Sequence, residues 1–347
     1  MPHRNLKSYP SGSPKRKLRV GVVGVGYLGK FHVEKYAGIP EVKIVGLVDK
    51  VPSKAKEWAD KLGTDSFADH HKLLGEVDAV SVVVPTDLHY PIAKDFLQSG
   101  SDVLLEKPIS STLWEAEDLI AAAQKNGRIL QVGHLERFNP AILAVRDRIQ
   151  APLFIESHRL TPFRGRGTEV DVVLDLMIHD LDIILSFGRS EVEHIHAVGV
   201  PVLTDKVDIA NARVQFQGGC VANITASRIS IEDQRRIRVF QPDSYLAVDY
   251  AAKKVAAYHR VFPPGSKKPQ VISEQVKVEP GDALENEIRS FVQCSMNRTA
   301  PAVTGEDGKK ALALAMQINE QIQANIKKIP WLTSFYEMRE DLLDASS

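Results

Sequence analysis

Residues 18–49 read LRVGVVGVGYLGKFHVEKYAGIPEVKIVGLVD, and this stretch decides the fold. Leu18–Val23 is a short continuous apolar run, the pattern of a strand buried on both faces of a parallel sheet. Gly24, Gly26 and Gly29 close it, the segment Tyr27–Ala37 has helical spacing, and Val42–Val48 is a second apolar run with Asp49 at its end. Glycines so spaced permit a tight turn, let backbone amides approach a pyrophosphate, and let helix and strand pack closely. The helix N-terminus then faces the negative charge. Tyr27 and Leu28, inside the turn, join the three glycines as cofactor-binding candidates. A carboxylate at Asp49 accepts hydrogen bonds from adenosine ribose hydroxyls and repels a 2′-phosphate, which selects NAD. Lys50 beside it could meet a 2′-phosphate, so NADP stays open.

Strand and helix patterns go on alternating to about Val132. Val77–Val84 is an apolar run stopped by Pro85, His89–Ser99 has helical spacing, Asp102–Leu105 is a short strand before Glu106-Lys107-Pro108, Thr112–Asn126 is a helix, and Ile129–Val132 is a further strand. Such alternation specifies a parallel sheet with helices on both faces. After Pro140 come eight strand-like runs with hairpin-sized gaps, from Leu153–Leu160 to Val271–Val278. They predict a largely antiparallel sheet covered on one face by helices, with Ala283–Cys294 and Gly305–Ala324 packing back on the first domain. The expected fold is α/β: a Rossmann domain at 18–138 and an α+β domain with an open sheet at 139–330. A basic mobile arm at 1–17 and a tail at 331–347 flank them.

With 44 Lys plus Arg against 44 Asp plus Glu, no field points to nucleic acid or to an anionic membrane. No apolar stretch approaches a membrane span. Cys220 and Cys294 are too few for a disulfide framework and fit reduced thiols of a cytoplasmic protein. The outer face of Ile209–Arg228 mixes Asn211, Arg213, Gln215 and Asn223 among apolar positions, and could be solvated or pair with a second copy.

Asp171–Phe187, DVVLDLMIHDLDIILSF, predicts one nearly all-buried helix. At about 100° per residue, Asp171, Asp175, His179 and Asp182 share roughly 80° of arc, with Asp180 opposite. Buried carboxylates and a histidine must be paired, ligated or used. Asp175 and His179, four apart, can touch, and a carboxylate beside an imidazole favours its charged form, as a general base requires. A buried pair that only positions the helix is the alternative. No third and fourth ligand suggests a metal. Lys107 follows a strand whose C-terminal end is where parallel sheets place ligands, and Pro108 restricts its backbone. His70, His71, His194 and His196 show no partner spacing.

Gly24-x-Gly26-x-x-Gly29, Glu106-Lys107-Pro108, Asp175-x-x-x-His179 and Pro301–Gly308 together resemble the Gfo/Idh/MocA family of nicotinamide-dependent sugar oxidoreductases. The likeness runs from Leu18 to about Ala324. It implies an N-terminal Rossmann domain, a C-terminal domain with an open antiparallel sheet, and dimers or tetramers built on that sheet. By position it also implies that Lys107 lies near the reacting carbon, that His179 is the acid/base and Asp175 its companion. Pro85, Thr86, His89 and Glu106 are implied to border the nicotinamide side. Gly133–Pro140, with Arg137 and Asn139, is similar to the branch that oxidises the 3-hydroxyl of UDP-N-acetylglucosamine or its uronic acid. A diphosphate substrate would need cations, and Arg159, Arg164 and Arg166 are candidates or, equally, solvated loop arginines.

The resulting expectation is hydride transfer between a sugar-ring secondary alcohol and NAD. Oxidation of another polyol or free sugar, of inositol or glucose type, is the runner-up. A non-catalytic dinucleotide sensor is the rival from another class, disfavoured by the joint presence of Lys107, Asp175 and His179.

Overall fold

The computed structural model describes residues 16–165, 170–187 and 190–329. Two compact units divide the chain, one of residues 16–138 and 281–309, the other of the remaining described residues.

The first unit holds β1 (Leu18–Val23), α1 (Gly29–Ala37), β2 (Val42–Val48), α2 (Pro52–Leu62), β3 (Asp65–Phe67), β4 (Ala79–Val82), α3 (His89–Gln98), β5 (Asp102–Glu106), α4 (Leu113–Asn126) and β6 (Leu130–Gly133). Its sheet runs β3-β2-β1-β4-β5-β6, every pair parallel. Strand order reverses between β1 and β4, which opens a ligand crevice at the C-terminal strand ends. Val20, Val22, Val80, Val82, Val103 and Leu105 are all 0% exposed, as strands covered on both faces must be. Helix ends follow local chemistry. Thr112 and Glu115 form a reciprocal capping box at the start of α4, and Gly127 takes the left-handed cap at its end with φ 60°.

The second unit begins with α5 (Pro140–Leu143), β7 (Phe154–Leu160) and α6 (Ile178–Phe187), then β8 (Val192–Val200), β9 (Ile209–Phe216), β10 (Val221–Ser227), β11 (Gln234–Phe240), β12 (Ser244–Asp249), β13 (Lys254–Val261) and β14 (Gln270–Val276). The sheet order is β14-β13-β12-β11-β7-β10-β9-β8. Its neighbours are antiparallel except β7 and β10, which run parallel. Alternation along β9 buries Ala210, Ala212, Val214 and Phe216 on the face that α6 covers.

The two last helices part company, although the sequence predicts that both return to the first domain. The first, α7 (Ala283–Asn297), puts Ile288, Phe291 and Val292 into the core around Val33 and Tyr36. The second, α8 (Gly305–Ile326), opens with Gly305 and Gly308 against Leu130 and Val132. From Ala311 onward its apolar stripe, with Leu314, Ala315, Ile318 and Ile322, belongs to the second unit's core. The expected arm at 1–17, but for its last two residues, and the tail at 331–347 lie outside the described residues, as does Arg166.

Candidate active site

At the end of β1 the chain passes through Gly24 with φ 89°, a backbone that L side chains rarely adopt. A Cβ there would lie 2.0 Å from the Val83 carbonyl oxygen, and one at Gly29 would lie 1.8 Å from that of Gly24. Both glycines are therefore demanded by protein packing. Gly26 differs: a Cβ there would meet nothing within 4 Å, so protein packing does not demand a glycine at this position. Tyr27 and Leu28 beside it are 62% and 51% exposed. Asp49, almost buried, accepts the Val25 amide at 2.9 Å through one oxygen and the Val51 amide at 2.8 Å through the other. It thus ties the second strand to the glycine turn while keeping lone pairs for further donors. Lys50 is exposed. This cradle, with its N-terminal helix and carboxylate, fits a dinucleotide.

Two further loops leave the same edge. After β4, Pro85 is exposed and Thr86 half-buried at the start of a short turn. β5 ends on Glu106, Lys107 follows it, and the Lys107–Pro108 peptide is cis. His89, which the resemblance places on the nicotinamide side, is buried. Its Nδ1 faces the Pro108 carbonyl at 2.8 Å and its Nε2 the Val84 carbonyl at 2.9 Å, so the ring braces one loop against the other. Burial pushes its pKa down, against the two carbonyls and the charges of Glu106 and Asp87. Glu106 accepts the Lys107 amide at 3.3 Å through Oε2, and its Oε1 lies 3.1 Å from His32 Nε2. Burial alone would raise its pKa, but the His32 hydrogen bond and the Lys107 charge outweigh it and hold the carboxyl below the usual range. Lys107 is half-buried.

In the second unit the expected single helix is broken by a π turn at Val173–Met177 before α6 begins. The turn's extra residue shifts the phase of everything before it, and such turns recur at functional sites. Asp175 lies in the turn and His179 in the first turn of α6, both half-buried. Asp171 leaves the predicted stripe: its carboxylate accepts the Val207 amide at 3.1 Å. Asp180, on the opposite side, is fully buried with its carboxylate 2.6 Å from Arg159 Nε.

Arg159, which the sequence leaves open between a substrate contact and a solvated loop arginine, is 3% exposed, and its guanidinium donates to Asp180. Arg164 is exposed and donates to Asp233 at 2.9 Å. Arg137, in the first unit, lies 3.5 Å from the Asp307 carboxylate. Asn139 caps α5 by accepting the Ala141 amide at 3.0 Å. His70 and His71, for which the sequence shows no partner, face Asp95 at 2.9 Å and Asp69 at 2.6 Å respectively. Ligand atoms of Asp69, His70 and His71 lie within 4.8 Å of one another, in a surface network already closed by hydrogen bonds. The sequence reading also missed His32. A signal was present, since His32 stands three residues after Gly29 and Ser81 is the lone polar residue of the run Ala79–Val84.

A parallel switch-point sheet with a glycine cradle, joined to an open-sheet domain, defines a two-domain dinucleotide-binding oxidoreductase. The model for the oxidoreductase family's NAD-binding Rossmann fold matches residues 18–134, and that of the GFO/IDH/MocA C-terminal domain matches 147–242. The chain belongs to the Gfo/Idh/MocA family and is an oxidoreductase of it. It is 38% identical over 312 residues to the UDP-N-acetylglucosamine 3-dehydrogenase of Acidithiobacillus ferrooxidans, covering 90% of this chain and 99% of that one. The solved structure of that enzyme superposes with a TM-score of 0.83, covering 89% and 98% of the two chains. Myo-inositol 2-dehydrogenase of Thermotoga maritima is 26% identical over 327 residues, 88% of this chain and 96% of its own. The scyllo-inositol dehydrogenase of Lactobacillus casei, solved with NAD(H) and scyllo-inositol bound, shares the fold at 21% identity and a TM-score of 0.75, covering 89% of this chain and 98% of its own. No described helix is long and apolar enough to cross a membrane.

Proposed function

We propose that this protein oxidises the 3-hydroxyl of UDP-N-acetylglucosamine with NAD. The likeness that carries the proposal is the 38% identity to the Acidithiobacillus ferrooxidans enzyme across nearly the whole of both chains. NAD, when bound, supplies the hydride acceptor. Gly24, Gly26 and Gly29 hold its pyrophosphate, and the anionic Asp49 favours free ribose hydroxyls over a 2′-phosphate. Thr86 and Glu106 border the nicotinamide side. His179 takes the proton of the sugar hydroxyl, and Asp175 favours the imidazolium that results. The Lys107 ammonium stabilises the negative charge that develops as the alcohol is oxidised. Arg164, which keeps an exposed guanidinium, and Arg137 with Asn139 serve the substrate's charged and polar groups.

The protein works as a homo-oligomer in the cytoplasm, where Cys220 and Cys294 stay buried and reduced. Support for assembly comes from the open face of the second sheet. There Phe154, Phe240, Tyr245 and Tyr258 stack in sequence across β7, β11, β12 and β13, with ring centroids 5.7, 5.2 and 4.3 Å apart. Half-exposed aromatic ladders of this kind suit a second copy.

The test is a panel of UDP-sugars, free sugars and inositols followed at the nicotinamide absorbance. UDP-N-acetylglucosamine should show the highest kcat/KM. A preference for an inositol would transfer the assignment to that branch, and cofactor binding without turnover on any member would make the chain a sensor.

A further inference from the structure

We propose that His32 is a positioning residue for the reaction: its buried imidazole fixes the Glu106 carboxylate and, through it, the backbone that presents Lys107. The inference rests on the reading of Lys107 as the residue that stabilises the charge developing as the alcohol is oxidised. It is carried by a connected line of four polar side chains in the first unit. The Tyr36 hydroxyl lies 2.8 Å from Ser81 Oγ, Ser81 Oγ lies 3.3 Å from His32 Nδ1, and His32 Nε2 lies 3.1 Å from Glu106 Oε1. Tyr36 and Ser81 are 0% exposed and His32 1%.

Proton bookkeeping gives the line a direction. With the imidazole neutral and its proton on Nε2, the Tyr36 hydroxyl donates to Ser81. Ser81 then donates its only hydroxyl proton to Nδ1, which leaves Nε2–H to donate to Glu106. One tautomer satisfies every member, and the line ends on a carboxylate. The other Glu106 oxygen accepts the Lys107 amide, so one rigid group joins the imidazole to the lysine's own peptide. Gly133 on β6 makes the space: a Cβ there would sit 3.2 Å from both Cδ and Oε1 of Glu106. The carboxylate is thus held from beneath by a glycine, on one side by His32, and at its tip by Lys107.

Stability alone does not call for such a line, because apolar side chains of matching volume often replace buried polar networks without loss. Its terminus is what distinguishes it: it delivers a fixed anion to the residue next to the ammonium.

The experiment compares His32→Gln, which can keep a donor near the Nε2 position, with His32→Asn, which keeps only the reach to Ser81. Lys107→Met and Glu106→Gln are made beside them. In protein labelled with ¹⁵N-lysine, His32→Asn should shift the Lys107 amide resonance and speed its hydrogen exchange at least about tenfold, while His32→Gln leaves both near the parent. On the best substrate, His32→Asn should lower kcat about 10- to 100-fold, the scale of a slight misplacement, with KM for NAD unchanged within about threefold. His32→Gln should recover most of that loss, and adding His32→Asn to Glu106→Gln should cost little more than Glu106→Gln alone. A Lys107 amide unmoved by His32→Asn overturns the role of His32, as does a His32→Gln variant as slow as His32→Asn. Lys107→Met with parental turnover overturns the lysine's role instead, and with it the functional half of the proposal, whatever the amide shows.

Discussion

Replacing Gly26 by alanine separates the ligand's demands from the protein's. A Cβ at that position meets no protein atom within 4 Å, so folding stability should change by less than about 0.5 kcal/mol. The same substitution at Gly24 drives a Cβ to 2.0 Å from the Val83 carbonyl at a φ of 89°. Left-handed backbone costs about 1–2 kcal/mol and overpacking about 1–3 kcal/mol, so Gly24→Ala should lose roughly 2–5 kcal/mol by their sum. If a pyrophosphate comes against the Gly26 backbone, the new methyl stands where it must approach. Losing one charge-assisted hydrogen bond costs about 1.5–3 kcal/mol, which is about 10- to 150-fold in Kd. Urea melts give the first quantity and a fluorescence titration with NADH the second. Gly26→Ala should unfold with the parent and bind NADH weakly. A Gly26→Ala protein that binds NADH as tightly as the parent refutes the cradle, and a Gly24→Ala protein as stable as the parent refutes the packing argument.

Lys107→Met and His179→Asn should each lower kcat about 10²- to 10⁴-fold, the range of a lost acid–base group, with NADH affinity nearly intact by titration. Asp180→Asn removes a fully buried anionic partner of the Arg159 guanidinium and should cost about 3–5 kcal/mol in a urea melt. Asp180→Leu with Arg159→Met should recover most of it. Asp208 is buried, which alone would raise its pKa. Donors from Thr204, Val202 and Leu203 outweigh burial and hold it at about 2. Its folded pKa lies below the unfolded one, so the stabilisation is complete above about 4 and fades as the pH falls through about 2. Acid unfolding of Asp208→Asn should therefore lack a loss on the order of 2 kcal/mol that the parent shows between those values.

The first domain was legible because its signals are local and redundant. LRVGVV, the three glycines and Asp49 each constrain the same turn, and strand–helix alternation leaves one sheet class for 18–133. Lys107 announced itself by standing after a strand and before a proline. The π turn was not legible: DVVLDLMIHDLDIILSF is consistent with an unbroken α-helix, and one inserted residue per turn leaves no mark in composition. The pairing of Arg159 with Asp180 was hidden for a different reason, since it joins β7 to α6 across 21 positions. The parting of α7 from α8 rests on which apolar faces each helix finds, which helical periodicity alone does not say. His32 was visible as a residue but not as a partner, because Ser81 and Glu106 come to it only once β4 and β5 lie beside α1.

The most direct measurement uses UDP-N-acetylglucosamine carrying deuterium at C3. Incubated with NAD and the protein, it should yield NADH that carries the deuterium, alongside a 3-keto sugar nucleotide. NADH that forms without the label, or NAD that stays oxidised while another polyol reduces it, would contradict the account.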